Sequence, residues 1–202
     1  MAARPGRRGG ALIEAALILS VAVPVLLGVT GIGVRLGRTL EGTQVTRDVG
    51  HMYALGTDFS LPGTQAIART LSRDFSLTAS GNAVLILSRV VRVFQTDCDA
   101  ASVPTCPNLN QTVFAQRLII GNAGLRASAF GTPPASSIDA AGNISSANYC
   151  KLSSLVASGF DAVLSLQQGQ SAYVVEGYFS MPEVNLSYFG SSGGGFYVRF
   201  LL

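Results

Sequence analysis

Between positions 11 and 34 the chain carries a single charge, Glu14, and only two other polar side chains, Ser20 and Thr30. Coiled as a helix, this stretch would measure about 36 Å, enough to cross a hydrocarbon layer of roughly 30 Å. No proline interrupts 35–55, where the strongest helix breakers are Gly37, Gly42 and Gly50. The pattern therefore predicts one continuous helix over 10–56, with a transmembrane part at 11–34. On a helical wheel Val34, Val45, Val49 and Met52 share one side, and Leu36 and Leu40 fall almost opposite. A helix with two apolar faces can meet two different neighbours, here the protein's own head and a partner helix.

The periodicity changes after Gly56. Pro62-Gly63 marks a helix start, and Ile67, Leu71 and Phe75 at i, i+4 and i+8 predict a short amphipathic helix over 63–76. Gly81-Asn82 closes it. The segment 83–95 then reads as the strongest strand, rich in β-branched residues and too apolar to lie open to water. A partner strand is expected at 112–121, with 96–111 as the connecting loop. Further strands are expected at 125–130, 162–166, 172–179 and 196–201, and 131–148 reads as a loop with Pro133-Pro134 and a turn at 139–143. Helices first and strands afterwards, without regular alternation, predict an α+β head over 57–202 built on a mostly antiparallel sheet.

Composition narrows the function classes. Only 12% of residues are charged and 48% are apolar, which is unlike a cytosolic enzyme. The remainder is rich in Ser, Thr, Asn, Gln and Gly, a surface suited to packing against copies of itself or to life outside the cell. The formal charge of +3 does not indicate nucleic acid. Three of the 14 basic residues, Arg4, Arg7 and Arg8, precede position 10, and without them 11 basic residues face 11 acidic ones. The rest are scattered singly, with no basic stripe for phosphates. Arginines ahead of an apolar span keep that end cytoplasmic and send the rest outward, a bias that Arg35 and Arg38 weaken without reversing. A secretory signal cut near Ser20-Val21-Ala22 is the competing reading, against which Glu14 and Pro24 break up the apolar region.

An acid inside a bilayer costs on the order of 3 kcal/mol even on lenient scales. Glu14 lies about one turn inside the run. It either stays wet at the headgroups or meets a cation supplied by another molecule. The stretch Arg7-Arg8-Gly9-Gly10-Ala11-Leu12-Ile13-Glu14, followed by the apolar run from Leu17 to Pro24, resembles the class III signal of the type IV pilin superfamily, and within it the TadE-like minor pilins of the tight-adherence (Tad) pilus system. The resemblance covers about the first quarter of the chain, with a looser likeness to minor-pilin heads beyond.

This resemblance implies a type IV pilin-like fold, in which a long N-terminal helix packs on an antiparallel sheet. It implies a leader over 1–9, removed by a prepilin peptidase between Gly9 and Gly10; a cut after Gly10 is the alternative, but leaves Glu14 in fourth place. Glu14 would then serve assembly by pairing with the amine of Gly10 in a neighbouring subunit. The implied partners are the prepilin peptidase, other pilin and minor pilin subunits, the inner-membrane assembly platform and membrane lipid. The implied location is the bacterial inner membrane, crossed once, with a periplasmic head and possible incorporation into an extracellular pilus. No cofactor and no enzymatic activity are implied. A membrane-tethered periplasmic binding module is the alternative, and it leaves the glycine-then-glutamate spacing without a reason.

Other residues add detail. Pro24 removes a backbone donor and tends to kink the helix. Gly33 and Gly37 have the small-residue spacing of close helix contact, or reflect only the frequency of glycine in membrane helices. Of the three cysteines, Cys98 and Cys106 enclose a short loop and are the favoured disulfide outside the cytoplasm, with Cys150 unpaired or the true partner of one of them. A metal is not expected, because C-x7-C is not a zinc spacing and His51 is the single histidine. His51 reads as a helix-end residue, and Asp97, Asp99 and Asp139 as turn residues rather than calcium ligands. Aromatics crowd the last third, from Tyr149 through Tyr173, Tyr178 and Phe179 to Phe200, as core residues with an interaction surface around Tyr188-Phe189 and the glycines up to Gly195.

Overall fold

The computed structural model describes residues 8–181 and 194–202. The arginines Arg4 and Arg7 of the expected leader, Tyr188, Phe189 and the glycine-rich turn as far as Gly193 lie outside the described residues. The chain divides into two compact units, 1–40 and 41–202.

The first unit is the greater part of α1, Arg8–Ala54, one unbroken helix that runs through Pro24. Its side chains from Leu12 to Leu40 are largely exposed: Leu12 is 73% and Ile32 71% accessible. This is a helix long and apolar enough to cross a membrane. Its hydroxyls are already satisfied internally. Ser20 donates to the Leu17 carbonyl at 2.7 Å, and Thr30 to those of Leu26 and Leu27 at 2.9 Å. Such back-bonding satisfies the hydroxyls within the helix, which leaves Glu14 as the one charged side chain of 11–34.

The second unit starts inside α1, at Glu41, and is an α+β head. A four-stranded, wholly antiparallel sheet has the order β2-β1-β3-β4, from β1 Ala83–Arg92, β2 Thr112–Gly121, β3 Ser171–Ser180 and β4 Gly195–Leu201. Strand alternation sends odd positions of β1 and β3 to one face and even positions to the other. On the first face Val45, Val49 and Tyr53 of α1, with Phe59, Ala68, Phe75 and Leu77, pack on Leu85, Leu87, Leu118, Ile120, Val175 and Phe179. On the second, Val90, Phe114, Ala172 and Val174 are covered by Phe130, Ile144, Leu155, Phe160 and Leu166. The sheet is buried on both sides, which explains why β1 reads as a near-continuous apolar run rather than an alternating one.

Two glycines that look like helix breakers in the sequence sit where α1 crosses the sheet. A Cβ on Gly42 would collide with the rings of Phe196 and Phe179, and one on Gly50 would press on Leu202. The opposing Gly177 of β3 leaves room for Thr46, whose buried hydroxyl donates to the Gly42 carbonyl at 2.7 Å. Close approach of helix and strand, not helix propensity, sets these residues.

Several expectations are corrected. The second helix, α2 Pro62–Leu71, stops five residues before 76. It buries Ala68, whereas Ile67 and Leu71 are 45% and 38% exposed. Phe75 reaches the core from the segment beyond the helix, so the i, i+4, i+8 stripe is not one helical face. β1 ends at Arg92, and α3 Gln95–Ala100 begins within what reads as strand and loop. Asp97 explains this, because its carboxylate accepts the Phe94 N–H at 2.8 Å and caps the new helix. The segment 125–130 is no strand but a turn-rich crossing, and 162–166 follows a single 3-10 turn, Phe160–Ala162, without joining the sheet. The loop 131–148 contains a 3-10 turn, Ala135–Ser137, and the start of α4 Ser146–Lys151, whose N-cap Ser145 accepts from Asn148 N–H.

Candidate functional site

Each candidate site is built within its own unit. In the first, Gly9, Gly10 and Glu14 all lie on α1, with Gly10 and Glu14 four residues apart and therefore on one helix face. Beyond its own turn of helix, a Cβ built at Gly10, Gly28, Gly33 or Gly37 would meet no atom of the described residues within 4 Å. The surface at Gly33 and Gly37 is thus uncommitted and open to a second backbone. Pro24 leaves the Ser20 carbonyl without its helical N–H donor, one turn from where the Ser20 hydroxyl bonds back.

In the head, Cys98 of α3 and Cys106 form a disulfide, and Cys150 of α4 is free and buried. All three sulfurs nevertheless lie within 4.8 Å of one another, a proximity the sequence spacing does not disclose. The Cys150 thiol is pushed up from its ordinary value by burial and then by the Asp97 charge.

The acids read as turn residues accept hydrogen bonds from their own neighbourhood. Asp139 accepts the N–H groups of Ala141 at 2.9 Å and Asn143 at 2.7 Å, closing a turn. Asp99 accepts from the Gln95 amide at 2.8 Å. His51 is exposed in the last turn of α1.

Sequence reasoning missed the most elaborate polar centre of the head, on the sheet face turned away from α1. Glu176, the one acid of β3, is 1% exposed. Its carboxylate accepts the Ser128 hydroxyl, the Ala129 N–H at 2.8 Å and the Tyr197 hydroxyl at 2.6 Å. Nearby Arg117 of β2, 4% exposed, donates to the Gly131 carbonyl at 2.7 Å and lies over the Phe114 ring at 4.4 Å. Burial lowers its pKa to about 10, with Glu176 pulling it back up. Arg126 covers the Tyr197 ring at 4.4 Å, and Arg199 the Phe130 ring at 4.7 Å. These groups pin 126–131 to the sheet. Three donors hold this carboxylate in one orientation. A glutamate inside an otherwise apolar strand, AYVVEGYF, is the signal that could have revealed it.

A second polar feature is a cavity of about 140 Å³ lined by Tyr53, Asp58, Phe59, Arg89, Gln116 and Tyr173. Tyr53 donates to Gln116 Oε1 at 2.9 Å, and the Arg89 Nε is buried without a hydrogen-bond partner among the described residues. Asp58 is held low by the hydroxyl and N–H of Ser60. This volume is small for organic ligands, whose pockets run to roughly 300–1,000 Å³.

Comparison of the chain with protein-family models, with curated proteins and with solved structures yields no match.

Proposed function

We propose that this chain is a structural subunit of the minor pilin or pseudopilin kind, serving a Tad-type pilus, and that it is held in the membrane by α1 before assembly. The observation that carries the reading is Glu14, the lone acid of 11–34, set four residues after Gly10 on a helix whose apolar side chains from Leu12 to Leu40 are exposed. Such a surface needs lipid first and other helices afterwards. Removal of 1–9 by a prepilin peptidase would create an amine at Gly10, and Glu14 of a neighbouring subunit would neutralise it. In an apolar bundle that pairing offsets the burial of both charges. The α+β head, with the end of α1 laid on an antiparallel sheet, is compatible with a pilin-like subunit.

Mass spectrometry of protein extracted from membranes tests the processing step. A chain beginning at Gly10 is expected; an intact Met1, or a start at Val23 as from a secretory cut, would sink the proposal. A membrane-tethered binding module is the second reading, favoured by the unpartnered Arg89 Nε beside the Tyr53–Tyr173 cavity. Gene neighbourhood separates the two, since only the pilus reading calls for a secretion ATPase and a prepilin peptidase nearby.

A further inference from the structure

Three sulfurs share one buried pocket of the head. Cys98 and Cys150 are both 0% exposed, whereas Cys106 is half-buried. The Cys106 sulfur also lies 3.6 Å from the Cys150 carbonyl oxygen. The buried Asn108 amide donates to the Tyr149 and Leu152 carbonyls, each at 2.8 Å, and so fastens the Cys106 loop to α4 on both sides of Cys150. A free thiol held this close to a disulfide has a chemical route open to it that needs no external oxidant or reductant.

We propose that the cluster is a thiol-delivery site, in which exchange moves the reactive thiol from buried Cys150 to half-exposed Cys106. The Cys150 thiolate attacks the Cys98 sulfur, the Cys98–Cys106 bond breaks, and Cys106 leaves as a thiolate that takes up the proton Cys150 gave up. One S–S bond forms as one is lost. The new Cys98–Cys150 bond joins α3 to α4 instead of closing a short loop. Cys106 is then available for a mixed disulfide with a thiol-reactive partner, the class to which low-molecular-weight disulfides belong. Burial and Asp97 keep the Cys150 thiolate scarce, so the exchange is slow at neutral pH and is best followed in mildly alkaline buffer.

The test treats the native full-length protein with N-ethylmaleimide, followed by non-reducing digestion and mass spectrometry. The expected product carries the maleimide on Cys106 and a Cys98–Cys150 disulfide, and Cys106 labelling falls at least about tenfold in Cys150→Ala. No labelling, labelling on Cys150, or a Cys106–Cys150 bond with labelled Cys98 would overturn the assignment. A second variant guards against misfolding of the first: Cys106→Ser treated with oxidised glutathione should form the Cys98–Cys150 bond. Two free thiols in that variant would also overturn it.

Discussion

The Phe196 ring occupies the space that a side chain on Gly42 would need. That ring cannot easily retreat, because it is stacked on Phe179 at 5.0 Å between ring centres and flanked by Phe75 at 6.0 Å. Two effects therefore compete in Gly42→Ala. Helix propensity favours alanine by about 1 kcal/mol, while overpacking of a filled core costs about 1–3 kcal/mol. The steric cost should win, so Gly42→Ala lowers head stability by about 1 kcal/mol, and Gly42→Val by more. Thermal unfolding followed by near-UV circular dichroism checks this. An unchanged or raised midpoint for Gly42→Ala would show that the helix and sheet can part without cost.

Glu176 makes a different kind of demand. Replacing it by alanine strands the Ser128 and Tyr197 hydroxyls and the Ala129 N–H, and removes the negative charge nearest to buried Arg117. A hydrogen bond to a charged group is worth about 1.5–3 kcal/mol, and Glu176 accepts three. Glu176→Ala should therefore approach loss of folding, and Glu176→Gln, which keeps the shape and one carbonyl acceptor, should cost less. Urea unfolding ranks the two. Hydrogen exchange should show protection lost first at Ala129, because Glu176 is its acceptor.

Much of this architecture is legible from local chemistry. The strands at 112–121 and 172–179 announce themselves because each is long and buried on two sides, and the span 11–34 because it is long and apolar throughout. The strands expected at 125–130 and 162–166 fail for a shared reason. Both segments are apolar because they cover the second sheet face through Phe130 and Leu166, and burial alone does not distinguish a covering loop from a strand. The Asp97 cap that starts α3 and the Glu176 clamp depend on partners distant in sequence or on one hydrogen bond, so periodicity does not carry them. The spacing of Gly9, Gly10 and Glu14 is local, within two turns of α1. The convergence of Cys150 on the Cys98–Cys106 pair is a tertiary fact, invisible to spacing.

Alkaline stability follows from the buried tyrosines. Burial raises the pKa of Tyr53 above its ordinary 10, and Tyr197 is raised by burial and then by its bond to Glu176. Each stays protonated in the folded head while its unfolded counterpart ionises, so the stabilisation is complete below about pH 10 and declines as pH rises beyond it, by about 1.4 kcal/mol per pH unit per group. Arg117 works in the opposite direction. With a folded pKa lowered to about 10 from 12.5, it loses its proton in the folded state first, and stability gains from rising pH over that window. Two tyrosines against one arginine leave a net decline. Tyr53→Phe should cost about 1 kcal/mol at neutral pH through the lost bond to Gln116, and the gap to wild type should narrow in alkali. Urea titrations on either side of pH 10 measure both slopes; a gap that widens would mean that the Tyr53 pKa is not raised.

Glu14→Gln isolates the electrostatic part of the proposed assembly step. Glutamine keeps the length and the hydrogen-bonding capacity of the side chain but cannot neutralise an amine. Glu14 lies on a helix face shared with Gly10 and is the lone charge of 11–34, so the substitution removes a cost from membrane insertion rather than adding one. Insertion and cleavage between Gly9 and Gly10 should therefore be as efficient as in wild type. Incorporation into pili or the assembly complex, measured by co-purification with the other subunits, should fall by about tenfold or more, the effect of losing roughly 1.4 kcal/mol or more from each subunit contact. Normal incorporation of Glu14→Gln would leave Glu14 as a headgroup-level residue without a role in assembly. Failure of cleavage would instead move its role to recognition by the peptidase.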